Sequence, residues 1–126
     1  MTRLPYEYVV LRCVPRPERE EFVNVGVVLH CQAADYLAAD FAVDRERWAA
    51  IDPRLDLDQV CAALDTVTWI CAGDPRGGAA AGRPMSQRFG FVKAPRSTVI
   101  QPGPVHGGLT DDPGRQLERL LERLVG

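Results

Sequence analysis

Glu20, Glu21 and His106 are the side chains of this chain best suited to moving a proton, and Arg88 and Arg96 are suited to holding an anion beside them. A carboxylate and an imidazole serve as acid and base, and a guanidinium presents a fork that matches a carboxylate or phosphate. That set describes a small enzyme acting on an anionic small molecule. A second set is polar without being catalytic. Arg12, Glu21, Asn24 and Gly26 interrupt otherwise apolar stretches, while Arg96, Ser97, Gln101 and His106 concentrate polar groups between prolines and glycines, a layout suited to binding. With Glu20 and Arg88, these are the candidate binding residues. They predict a non-catalytic binding or accessory module with one recognition surface, and the enzyme is the alternative. His106 lies outside every predicted strand and has no nucleophile or carboxylate partner in the pattern, so a hydrogen-bonded loop residue is its plainer use.

Other chemistry finds little support. No Gly-x-Ser-x-Gly, phosphate loop, dinucleotide fingerprint or zinc-protease helix occurs, and no cofactor is expected. The cysteines, at 13, 31, 61 and 71, form no Cys-x-x-Cys pair, so no metal site is expected. If Cys61 and Cys71 share a helix, a rise of about 1.5 Å per residue puts them about 15 Å apart, too far for a disulfide. They read as small buried hydrophobes in a reducing compartment. Phe89-Gly90-Phe91-Val92 matches the middle of the octapeptide by which RNA-recognition motifs stack bases, but the flanking residues and the element order differ. Nucleic-acid binding is therefore a further alternative, with both phenylalanines more simply assigned to the core. The net charge of −2 conceals five cations and no acidic residue between Pro75 and Thr110, a stretch that either faces an anionic partner or is solvated.

Several elements must position these residues. Tyr6 to Val14 and Glu21 to Cys31 are rich in β-branched residues and separated by a proline-punctuated turn, which predicts an antiparallel pair. Ala34 to Val43 follows too closely for a crossover and is expected to be a third strand. Asn24-Val25-Gly26 predicts either a bulge or a polar site on the second strand. Asp44 caps a short helix ending before Pro53, with Trp48 and Ile51 facing inward. Leu57 to Ala72 has one apolar helical face, a capping Asp56 and a terminating Gly73. Residues 74–84 lack periodicity and read as a mobile loop; Met85 to Val92 fits a short helix or a strand, and Ser97 to Gln101 a strand. Asp112-Pro113 opens a last helix whose Leu117, Leu120, Leu121 and Leu124 share a face, for which core packing is the default and a partner groove the sharper use. The expected architecture is α+β: an antiparallel meander sheet from the N-terminal half, packed against two or three helices.

With 126 residues, 46% hydrophobic and 25% charged, the chain has the size and balance of one globular domain, 1–126, which excludes disordered and fibrous classes. Neither a signal-peptide core nor a run of about 20 apolar residues is present, so a cytoplasmic protein without membrane contact is expected. The stretches Tyr8-Val9-Val10-Leu11-Arg12-Cys13-Val14-Pro15 and Arg19 through Leu29, above all Glu-Phe-Val-Asn-Val-Gly, resemble the bacterial domain of unknown function 3037 family. The later Arg88-Phe89, Ala94-Pro95 and Ser97 through Gly107 fit the same pattern. That resemblance implies a small bacterial cytoplasmic protein and transfers no catalytic residue. It also implies a protein partner, a HipA-type kinase-like protein encoded nearby; a homo-oligomer is compatible with it.

Overall fold

A computed structural model describes residues 2–96 and 98–126. β1 (Leu4–Cys13) pairs antiparallel with β2 (Val23–Cys31), and β2 with β3 (Tyr36–Phe41), giving the predicted meander. The first connection contains a 3-10 turn closed by Glu20 at φ 55°, the left-handed region that few non-glycine residues adopt. Between Leu11 and Arg12 the register slips: Leu11 faces Gly26, Arg12 faces Asn24, and Val25 is the extra residue of a β-bulge.

Two strands from the far end of the chain fill the other edge of β1. β4 (Ile100–Pro102) lies opposite Leu11–Cys13, and β5 (His106–Thr110) opposite Leu4–Tyr8. The strand order is β3-β2-β1-β4, with β5 also on β1. Between Leu11 and Tyr8 the partner advances from Pro102 to His106, one residue more than β1 does, so 103–105 make a second bulge. His106 thus begins a strand, contrary to its predicted place outside one. Gly107 and Gly108 disguise that strand, because glycine favours sheets weakly. Gly108 is required there: a Cβ would come within 2.7 Å of the Tyr6 hydroxyl, whose ring lies across it.

The helices form where their caps predict. α1 (Arg45–Ile51) starts at Asp44, whose side chain accepts from the Arg47 amide. α2 (Leu57–Ala72) starts at Asp56, which accepts from the amides of Asp58 and Gln59, and stops at Gly73 with φ 72°. α3 (Met85–Lys93) decides the ambiguous phenylalanine segment in favour of helix, and α4 (Pro113–Leu124) opens on Asp112 and Pro113. Residues 74–84, read as a mobile loop, contain two 3-10 turns; Ala81 is buried and Gly77 lies against Ile70. The fold is α+β, as predicted, with four α-helices among the described residues rather than two or three.

Strand alternation sends β1 side chains to two cores. Val9, Leu11 and Cys13 join Val23, Val25 and Val28 against Trp48 of α1, Val60, Leu64, Val67 and Ile70 of α2, and Phe89 and Val92 of α3. On the opposite face Val27, Leu29 and Cys31 pack on Leu117 and Leu120 of α4, as the leucine spacing predicts. Helices therefore cover both sides of the sheet, unequally: α4 packs on β2 and β3, and β1 with its C-terminal partners is left partly open on that side.

Candidate functional site

The even-numbered side chains of β1 form the open strip. Tyr6 and Tyr8 are stacked with ring centroids 6.1 Å apart, and His106 stacks on Tyr8 at 5.2 Å. Four residues along the same face, the Arg12 guanidinium lies over the Phe22 ring at 4.3 Å. Its other side rests against Gly103, where a Cβ would be 3.2 Å from the guanidinium carbon, so that bulge glycine makes the slot. Arg12 Nε is buried and has no hydrogen-bond partner among the described residues. Such a group costs free energy unless an acceptor arrives. Phe22 remains 44% exposed, a large apolar surface for water to hold. Arg12, Glu20, Phe22 and Gln101 line a cleft of about 320 Å³ with Val14, Pro17 and Pro102. Burial, and then the neighbouring Tyr8, push the Tyr6 hydroxyl pKa up, while Arg123 of α4 opposes them. Tyr6 therefore presents a neutral O–H group that both donates and accepts.

Of the ten candidate residues, only Arg12, Glu20 and Gln101 meet around one cleft, and His106 joins the same strip further along β1. Gln101 already has work, its Nε2 donating to the Thr98 carbonyl at 3.0 Å. Asn24 faces α4 and donates from Nδ2 to the Leu124 carbonyl at 3.1 Å, fastening the helix end to the bulge. Gly26 is the close-approach glycine of that bulge, with the Asp40 carbonyl 2.8 Å from where a Cβ would be. Glu21 pairs with Arg19 and lines a separate cleft with Pro15, Ile51 and Arg54. Arg88 donates to the carbonyls of Arg83 and Cys71, tying α3 to the end of α2. Arg96 lies on the helix-covered side, stacked on Phe91 at 4.8 Å. Ser97 lies outside the described residues.

Asn24 and His106 flank β1 on opposite sides, four strand residues apart. At about 3.3 Å per residue and 4.8 Å per strand spacing they are separated by roughly 16 Å. Nor do Glu20 or Glu21, His106, and Arg88 or Arg96 converge on one pocket, so the acid, base and anion holder expected of a small enzyme are not assembled. The single recognition surface predicted from sequence is likewise divided between the two sides of the sheet. Tyr6, Tyr8 and Phe22 were not singled out by sequence reasoning, although the period-2 series 6, 8, 10, 12 places both tyrosines beside Arg12 once the strand is recognised.

The remaining groups are structural. All four cysteines are free, and burial pushes Cys13 up to about 11 and Cys71 up to about 12. His30 is buried, its ring 4.8 Å from Phe89 and its Nε2 2.9 Å from Gln32 Oε1. Phe89 is core, as predicted, whereas Phe91 is 48% exposed. Among the described residues no group of three or more His, Cys, Asp or Glu side chains gathers where it could hold a metal ion. Among the described residues no helix is long and apolar enough to cross a membrane.

A family model described as "Protein of unknown function (DUF3037)" matches residues 8–125. No curated protein and no solved structure matches.

Proposed function

The chain belongs to the DUF3037 family, whose description carries no activity, and we propose from its own surface that it is a binding module for a protein partner. The observation that carries this reading is the open half of the sheet, where Tyr6, Tyr8 and His106 stack in series and Arg12 lies over exposed Phe22. Tyrosine and arginine are among the residues that most often supply the binding energy of protein interfaces, because each offers contact area and a polar tip. The occupant is an extended segment bearing apolar side chains and a carboxylate. Its apolar groups would cover Phe22 and Tyr8, and its carboxylate would pair with the Arg12 guanidinium.

Base stacking on the same rings is the competing use, and the placement of charge disfavours it. Arg76, Arg88 and Lys93 of the cationic stretch belong to α3 or to the turn after α2, on the other side of the sheet, and on the strip's own side Arg115, Arg119 and Arg123 of α4 are interleaved with Glu118 and Glu122, which would repel a phosphate backbone. A HipA-type kinase-like protein is the first partner to try, on the strength of the family resemblance.

The test compares capture by the tagged protein, from its source organism, with capture by Tyr8→Ala/His106→Ala, by Arg12→Ala and by Arg54→Ala, the last lying away from the strip. The expected result is one stoichiometric protein partner, lost at least tenfold with both strip variants and kept with Arg54→Ala. Equal capture by all four proteins would overturn the assignment, as would binding of an unstructured oligonucleotide that falls steeply with salt.

A further inference from the structure

A cleft of about 520 Å³ lies on the other side of the sheet, between α2, the 3-10 turns after it, α3 and β4. Its walls are Leu11, Ala63, Val67, Ile70, Phe91 and Ile100, with small residues where the turns approach. Volume and lining are those of a small-molecule site: apolar walls with very few polar groups. Two threonines face it, and both hydroxyls are committed to backbone, Thr66 to the Ala62 carbonyl at 3.1 Å and Thr98 to the Ile100 carbonyl at 2.7 Å. Arg96 is the one charged residue lining the cleft among the described residues.

Arg96 is held in position without being neutralised. Its guanidinium stacks on Phe91, Nε donates to the Ala94 carbonyl at 3.4 Å and an Nη to the Phe91 carbonyl. It forms no ion pair among the described residues. A guanidinium has five N–H donors, so most remain free for a ligand. Burial lowers its pKa, the direction expected of a cation that lacks a counter-charge.

We infer that this cleft binds a small amphipathic anion, an aliphatic or aromatic carboxylate whose apolar body lies along Val67, Ile70 and Ile100 and whose head meets Arg96. Charge complementarity selects the head: a neutral or cationic head would leave the one fixed charge of the cleft unanswered. The site shares no wall with the tyrosine strip apart from the sheet itself and stands independently of the partner proposed above.

The test is fluorescence titration with 8-anilinonaphthalene-1-sulfonate, followed by displacement with decanoate, decanol and decyltrimethylammonium. Decanoate should displace the dye at least tenfold better than decanol, and the ammonium should fail. Affinity should rise about fourfold for each methylene between octanoate and decanoate. Arg96→Ala should bring decanoate down to the level of decanol, and Arg96→Lys should restore part of the difference, with circular dichroism showing both variants folded. Ala63→Phe should abolish dye binding by filling the cleft. A carboxylate preference that survives Arg96→Ala would overturn the inference, as would loss of dye binding in Tyr8→Ala, which would place the molecule on the opposite face. Failure of every carboxylate to displace the dye, with partner capture lost in Arg96→Ala, would also overturn it and assign the cleft to a protein segment.

Discussion

Adding one methyl group at Gly26 should destabilise the protein, and adding the same group at Gly90 should stabilise it. At Gly26 a Cβ would meet the Asp40 carbonyl oxygen at 2.8 Å, Phe41 Cβ at 3.1 Å and Leu11 Cδ1 at 3.4 Å. The first of these is backbone in the neighbouring strand, with no rotamer to move, so β3 must shift against α2 or the bulge must open. Overpacking of this kind costs about 1–3 kcal/mol. With an unfolding entropy of about 2.1 cal/mol/K per residue, 126 residues give about 265 cal/mol/K, so the melting point falls by about 4–11 °C. Gly90 is inside α3, and a Cβ there meets nothing within 4 Å. Its replacement removes glycine's helical penalty of about 0.8–1 kcal/mol, raising the melting point by about 3–4 °C. Thermal melts followed by circular dichroism, with urea titration to check that m is unchanged, read both values. A Gly26→Ala protein that melts within a degree of the parent would refute the close approach between β2 and β3 and restore Gly26 as a candidate for binding.

Thiol chemistry and pH supply two more tests. Cys13 and Cys71, pushed up to about 11 and about 12, hold only about a thousandth and a ten-thousandth of their thiols as thiolate at pH 8, and Cys31 is buried. Ellman's reagent should therefore titrate partly exposed Cys61 alone in the folded protein and all four after denaturation; two equally fast thiols would contradict the packing. Asp74 is lowered from its ordinary 3.8 to about 2, first by hydrogen bonds from the Arg76 side chain and then by the Arg76 amide. A carboxylate whose folded pKa is depressed stabilises the fold above its unfolded value, and that contribution is lost as pH falls toward the folded one. The loss of melting temperature between pH 4 and pH 2 should accordingly be smaller in Asp74→Asn than in the parent, and identical slopes would show the contact to be absent.

Local signals in the sequence carry far. Asp44, Asp56 and Asp112 each cap the helix they precede, and Gly73 ends one, because a cap is a contest decided within four residues. The hairpin of β1 and β2 is legible for the same reason. β5 is not: Gly107 and Gly108 have no strand propensity of their own, and what makes them a strand is the free edge of a segment a hundred residues away. The candidate site failed in the same manner. Asn24, chosen for interrupting an apolar run, and Arg88, chosen as an anion holder, proved to be fasteners, to α4 and to α2, because a buried polar group is more often satisfied by a distant carbonyl than by a ligand. The strip was hidden because Tyr6 and Tyr8 look like ordinary strand residues until it is known that α4 packs chiefly on β2 and β3 and leaves them half-buried. Arg96 was read as an anion holder without the cleft that it lines, since the walls come from elements far apart in the chain.

The central strand is completed by residues far along the chain. β1 acquires β2 within its first thirty residues, but its other neighbour waits for Thr110, which pairs with Leu4. At about 5–20 residues per second of synthesis, that interval lasts about 4–16 s. Throughout it the backbone groups of Leu4 to Cys13 on that side have only water, and Tyr6 and Tyr8 lack the cover of α4. A growing chain is thus a sticky hairpin until those residues emerge, and premature termination before residue 100 would release a species prone to pair with its own copies. Residues 100–126 therefore serve as the closure of the fold as well as a source of contacts, and burden on the cell's chaperones should depend on how quickly they follow.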